Sequence, residues 1–107
     1  MTEDERRFDA AMLDLYATWM REIRYPARRF LAMVRRRGGV ESAKRLLRKP
    51  GVSPSFERIR DAGKLMATVE YLVLRPEFSS LFTSGELQTA RSRLLEHGLT
   101  NRDLPTQ

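Results

Sequence analysis

The chain has no cysteine and only one histidine, His97. Without thiols there is no disulfide framework, no thiolate nucleophile and no cysteine-ligated metal, which predicts a protein of a reducing compartment such as the cytoplasm. A lone histidine likewise rules out a His/Cys metal cluster or a Cys–His pair. At the end of a predicted helix, His97 reads as a cation near the negative end of the helix dipole. Walker and dinucleotide fingerprints are missing, and no carboxylate pair has acid–base spacing, so no catalytic residue, metal or cofactor is predicted. Long apolar runs are absent too, which excludes a membrane span. The acidic start, Met1-Thr2-Glu3-Asp4-Glu5, lacks the basic and apolar regions of a secretory signal. No strand alternation, internal repeat or low-complexity segment is visible.

What remains is 107 residues that are 41% hydrophobic and 32% charged, enough for one core. The sequence predicts a single all-α domain over residues 1–107, with residues 1–4 and 100–107 frayed. Phe8, Met12, Leu15, Trp19 and Ile23 recur at steps of three and four, the pattern of an amphipathic helix over Glu5 to Ile23. Tyr25-Pro26 interrupts it, and a second helix is expected from Pro26 to about Arg37 with Phe30, Leu31 and Val34 inward. Gly38-Gly39 stops that helix, and a third spans about Val40 to Arg48. Ser53-Pro54 starts a fourth that runs to Gly63. Leu65 to Leu74 is apolar nearly all the way round and predicts one buried central helix, the hub of a compact bundle of five to six short helices. Thr83-Ser84-Gly85-Glu86 is a capping box for the last helix, and Gly98-Leu99 predicts a Schellman ending against Leu94.

The net charge of +6 is concentrated in the middle of the chain. Residues 1–20 carry two Arg against five acids, residues 21–64 fourteen Lys/Arg against four, and residues 65–107 four against five. Seventeen of the twenty basic residues are Arg, a preference that suits phosphate and carboxylate forks, although a GC-rich genome produces the same bias. Arg28, Arg29, Arg35, Arg36 and Arg37 on the second helix, with Lys44, Arg45, Arg48 and Lys49 on the third, flank the Gly-Gly turn and are expected to merge into one basic surface. The backbone N–H groups after Gly38-Gly39 are expected to be free to hold an anion. Glu70, alone in the most apolar helix, is expected to pair with an arginine, since an unpaired buried carboxylate is costly. A helix-turn-helix over Ser55 to Leu74 is not expected, because its second helix would offer base edges Met66, Val69 and Leu72 in place of polar groups.

From Gly38 onward the chain carries Gly38-Gly39, Ser53-x-x-Phe56, Gly63-Lys64-Leu65, Thr68-Val69-Glu70 and Leu72-Val73-Leu74. Arg75-Pro76-Glu77-Phe78, Leu81-Phe82-Thr83, Glu86-Leu87, Ala90-Arg91 and Arg93-Leu94 follow. This series resembles a family of small uncharacterised bacterial helical domains, over roughly two-thirds of the chain. The resemblance implies a helical fold and brings no activity with it.

The sequence thus points to a non-enzymatic binding module. In the first reading it is a nucleic-acid-associated accessory protein that neutralises phosphates without reading sequence, through the nine basic residues named above. An acidic protein is the other partner that such a surface suits. The alternative is an interaction or assembly subunit that docks its first helix, through Met12, Leu15 and Trp19, on a partner helix or a second copy of the chain.

Overall fold

Thr2 and Glu5 open the longest helix with a capping box. The Thr2 hydroxyl accepts from the Glu5 N–H (3.1 Å) and the Glu5 carboxylate accepts from the Thr2 N–H (2.8 Å). Two of the orphan donors at a helix start are satisfied in this way. In the computed structural model, which describes residues 1–106, helix α1 therefore runs Glu3–Ile23. Residues 2–4, expected to fray, belong to its beginning. Arg24 ends it in the left-handed region (φ 52°), and the Tyr25 N–H reaches back to the Trp19 carbonyl (3.1 Å).

Helix α2 covers Arg28–Arg37, two residues later than the proline suggested. The Ala27 and Arg28 N–H groups first close tight turns on the Tyr25 and Pro26 carbonyls (3.1 and 2.7 Å). Gly38, at φ +85°, supplies a backbone conformation that an L side chain resists and lets helix α3 (Gly39–Arg48) turn back on α2. Helix α4 (Pro54–Asp61) has Ser53 as its N-cap, accepting from the Phe56 N–H at 3.1 Å. Its Schellman ending sends the Lys64 N–H to the Ile59 carbonyl (3.1 Å), so the helix stops before Gly63.

The hub is not one helix. Leu65–Ala67 is a single 3-10 turn, and helix α5 is only Val69–Val73. Thr68 makes the break: its hydroxyl donates to the Leu65 carbonyl (2.8 Å) and accepts from the Tyr71 N–H (3.2 Å), a local alternative to the helical ladder. The Trp19 indole N–H then takes the freed Ala67 carbonyl at 2.8 Å and ties α1 to the hub. Most of it is buried nevertheless, with Val73 and Leu74 at 0% and 1% exposure, while Met66 in the 3-10 turn is 51% exposed. A second 3-10 turn, Ser79–Leu81, leads to helix α6 (Ser84–Glu96), which has the predicted Thr83/Glu86 capping box. The Leu99 N–H reaches the Leu94 carbonyl (3.0 Å), as the Schellman reading required.

Around α5 pack α6, α1 and α3, and edge-on aromatic contacts close one end: Phe8 meets Phe78 and Phe82 at 5.2 and 5.3 Å between ring centres. The radius of gyration is 12.7 Å, against about 13 Å for a compact chain of this length. Past Gly98, Thr100 and Asp103 bond each other and Leu104 rests on the core, so the chain is tied to the domain as far as Leu104; Gln107, also expected to fray, lies outside the described residues. Among the described residues there is no strand, and no helix is long and apolar enough to cross a membrane.

One expected interface disappears into this core. Met12 and Trp19 are 0% and 1% exposed and Leu15 is half-buried against the same cluster, because α2, α3 and α5 cover that side of α1. A long apolar stripe beside enough other helices is core. The outer side of α1 exposes Ala10, Leu13, Ala17 and Met20 as apolar residues at helical spacing.

Candidate functional site

The start of α3 is already filled. Asp9, on α1, accepts the Gly39 N–H through Oδ1, a charge-assisted cap from a neighbouring helix. The free anion seat expected at Gly38-Gly39 is therefore occupied by the protein's own carboxylate. Gly39 is what permits it, since a Cβ there would lie 2.8 Å from Asp9 Oδ1 and 3.1 Å from Asp9 Cα.

The nine basic residues are divided among several adjoining hollows. Arg29, Arg36 and Arg37 from α2, Arg45 from α3 and Lys49 just past its end line a groove of about 350 Å³ whose remaining walls are Ala32, Met33 and Leu46. No acid lines it. Arg28 lies beside Arg29 at the neighbouring cleft, and Arg35 borders a second hollow together with Arg36, Arg37, Asp9 and Leu13. Helical spacing explains the split: 29, 32, 33 and 36 make one stripe and 28 and 35 another. Arg48 faces α6 and approaches Glu41 at 3.8 Å. Lys44 is withdrawn altogether: its ammonium bonds the Glu86 carboxylate at 2.7 Å and lies 5.3 Å from the Phe82 ring centre. Although partial burial raises the Glu86 carboxyl, Lys44 and the Thr83 N–H outweigh it and hold Glu86 below the usual range.

At one end the groove opens into a deeper cleft of about 440 Å³ between α2, α4 and α5. The two share Arg29, Met33, Leu46 and Lys49. Glu70 lies in the cleft wall, 3% exposed, and bonds the Arg93 guanidinium at 3.0 Å. Burial pushes its carboxyl above the usual range, against the pull of its own backbone N–H and of Arg93. Arg93 also donates to the carbonyls of Leu46 (3.0 Å), Leu47 (3.4 Å) and Lys49 (2.6 Å), so it caps the C-terminus of α3 from within the core. The expected arginine partner of Glu70 is thus real and structural. Its identity was overlooked, although Arg93 stands between Ala90 and Leu94 on the buried stripe of α6, where a charge needs a reason.

His97 completes no site: its Nδ1 meets the Arg93 carbonyl at 2.8 Å and its ring stacks edge-on with Phe56. Tyr25 and Ser55 share a hydroxyl–hydroxyl bond at 3.0 Å with no base beside it. Among the described residues, no three His, Cys, Asp or Glu side chains gather as metal ligands. What the surface offers is charge and an apolar cleft. No protein-family model, curated protein or solved structure matches the chain.

Proposed function

We propose that the protein is a non-enzymatic module that binds the phosphate backbone of nucleic acid in the α2–α3 groove. The carrying observation is the convergence of Arg29, Arg36, Arg37, Arg45 and Lys49 on a groove without a single acid. Arg29 and Arg36 are seven residues apart on α2, about 10.5 Å along a helix at 1.5 Å per residue. Every polar side chain in the groove is a cation that suits phosphate oxygens, and no Asn or Gln is present to read adenine edges. Arg28 and Arg29 also stand in the first turn of α2, where cations oppose the helix dipole. Their placement costs the helix stability, and an external anion would offset it.

Anisotropy of labelled duplex DNA and single-stranded RNA, titrated across a salt series, tests this reading. Arg29→Ala/Arg36→Ala/Arg45→Ala should flatten the slope of log K against log salt by up to about 2.7, at about 0.9 per lost contact. Arg28→Ala/Arg35→Ala/Arg48→Ala removes equal charge outside the groove and should change it much less. Equal flattening by both triples would reduce the interaction to net charge, and binding weaker than ~100 μM near physiological salt would end the nucleic-acid reading. The competing docking reading now rests on Leu13, Ala17 and Met20 and predicts capture of a partner that Leu13→Glu abolishes.

A further inference from the structure

The cleft beside the groove has features that phosphate binding does not use. At about 440 Å³ it falls in the range of small-molecule sites, roughly 300–1,000 Å³. Its inner wall is rigid and apolar: Trp19, Phe30, Phe56, Ile59 and Val69 are all at most 5% exposed. A phosphate backbone has nothing to place there. Arg28, Arg29 and Lys49 line it too; all three are exposed, and none has a carboxylate within 4.0 Å among the described residues. The one acid of the wall, Glu70, is engaged by Arg93 and leaves no unpaired negative charge.

An apolar interior with a cationic rim selects by two terms. Apolar surface entering the cleft gains about 25 cal/mol per Å² removed from water. The head group then decides among ligands of equal body: an anion meets three unpaired cations at the rim, an alcohol brings no charge to meet them, and an ammonium is repelled by them. We propose that the cleft binds a small amphipathic organic anion, its alkyl or aryl body against Phe30, Phe56 and Val69 and its carboxylate or phosphate head at Arg29 and Lys49. Because those two cations also belong to the groove, such a ligand and a polyanion compete for them. The cleft's own binding does not depend on the nucleic-acid reading and is measured without nucleic acid.

Trp19 is the only tryptophan and lies in the cleft wall, so its emission reports occupancy directly. Octanoate, 1-octanol and octylamine share a body and differ in head charge. In titrations of the full chain near pH 8, octanoate should change Trp19 emission saturably and bind at least about tenfold tighter than 1-octanol, with octylamine weakest; tenfold is about 1.4 kcal/mol. Arg29→Ala/Lys49→Ala, both exposed positions that need not disturb folding, should reduce octanoate to the level of octanol. Arg35→Ala/Arg48→Ala should leave it unchanged. No saturable change up to about 10 mM, equal affinity for octanoate and octanol, preference for octylamine, or indifference to the rim variant would each overturn the proposal.

Discussion

Replacing Arg93 by methionine keeps much of the side-chain volume and deletes the guanidinium. Four acceptors lose their donor at once: Glu70 Oε2 at 3.0 Å and the carbonyls of Lys49, Leu46 and Leu47 at 2.6, 3.0 and 3.4 Å. With Arg93 and Glu70 only 7% and 3% exposed, water cannot take its place without opening the core. Breaking a buried pair from one side costs about 3–5 kcal/mol, a large part of the ~5–15 kcal/mol that holds a domain of this kind. The loss has two parts that can be separated. Adding Glu70→Gln removes the uncompensated charge but not the orphaned α3 carbonyls, so the double variant should be more stable than Arg93→Met alone and still about 1–3 kcal/mol below wild type. The pH dependence follows in sign. The Glu70 carboxyl is already raised by burial, and without Arg93 it rises further. A carboxyl raised in the folded state contributes stability that is complete below its ordinary value of 4.5 and is lost as pH climbs through the folded value. The Arg93→Met penalty should therefore be smaller at about pH 5 than at about pH 8, with a slope of at most about 1.4 kcal/mol per pH unit for one proton. Urea unfolding of wild type, both single variants and the double at the two pH values measures all of this. A penalty that is independent of pH and unrelieved by Glu70→Gln would refute the account.

Asp9→Ala, which uncaps α3, should cost about 1–2 kcal/mol in the same assay. Gly39→Ala should destabilise as well, although alanine is the better helix former by about 1 kcal/mol, because its Cβ would meet Asp9 and Phe8 at 2.8–3.1 Å. A gain in midpoint would contradict the close approach of α1 and α3. Ser42 is fully buried and its hydroxyl has no partner among the described residues, so Ser42→Ala should stabilise by about 1 kcal/mol, and a loss would reveal a bond to that hydroxyl. Leu72→Ala should cost ~2–5 kcal/mol, and a loss below about 1 kcal/mol would show that the hub carries little of the stability. Glu86, held below its ordinary value, contributes stability above pH 4.5 that is lost as pH falls; Lys44→Met should remove most of that acid sensitivity.

The helices were legible where the signal was local. Ser53-Pro54, Thr83-x-x-Glu86 and Gly98-Leu99 act within a few residues, and the structure uses each as read. Thr2-x-x-Glu5 is the same capping signal, at a chain terminus that was expected to fray. The hub failed for the opposite reason. Its apolar residues marked burial correctly, yet burial does not require a continuous helix, and the Thr68 hydroxyl competes with the ladder in a way that apolar periodicity cannot register. Trp19 shows the same confusion at the level of surfaces: the stripe on α1 was right, and whether a stripe faces a partner or the chain's own core depends on how many other helices close over it.

The basic residues show where sequence reasoning ends. Lys44 and Arg45 are neighbours, equal in charge and indistinguishable to any count, but adjacent positions on a helix point about 100° apart. That rotation sends Lys44 to Glu86 and Phe82, and Arg45 to the groove facing α2. On a single helix the division was readable in advance, since Arg29 and Arg36 share a stripe that Arg28 and Arg35 do not. Across two helices it was not, because the position of Glu86 relative to Lys44 is set by the packing of α3 on α6, forty-two residues apart in the chain. Charge in the middle of the chain therefore overstates the charge available to a ligand: of the nine residues, five line the acid-free groove. If the salt dependence of binding follows those five in preference to the other four, the groove is the binding surface; if it follows the total, only the composition matters.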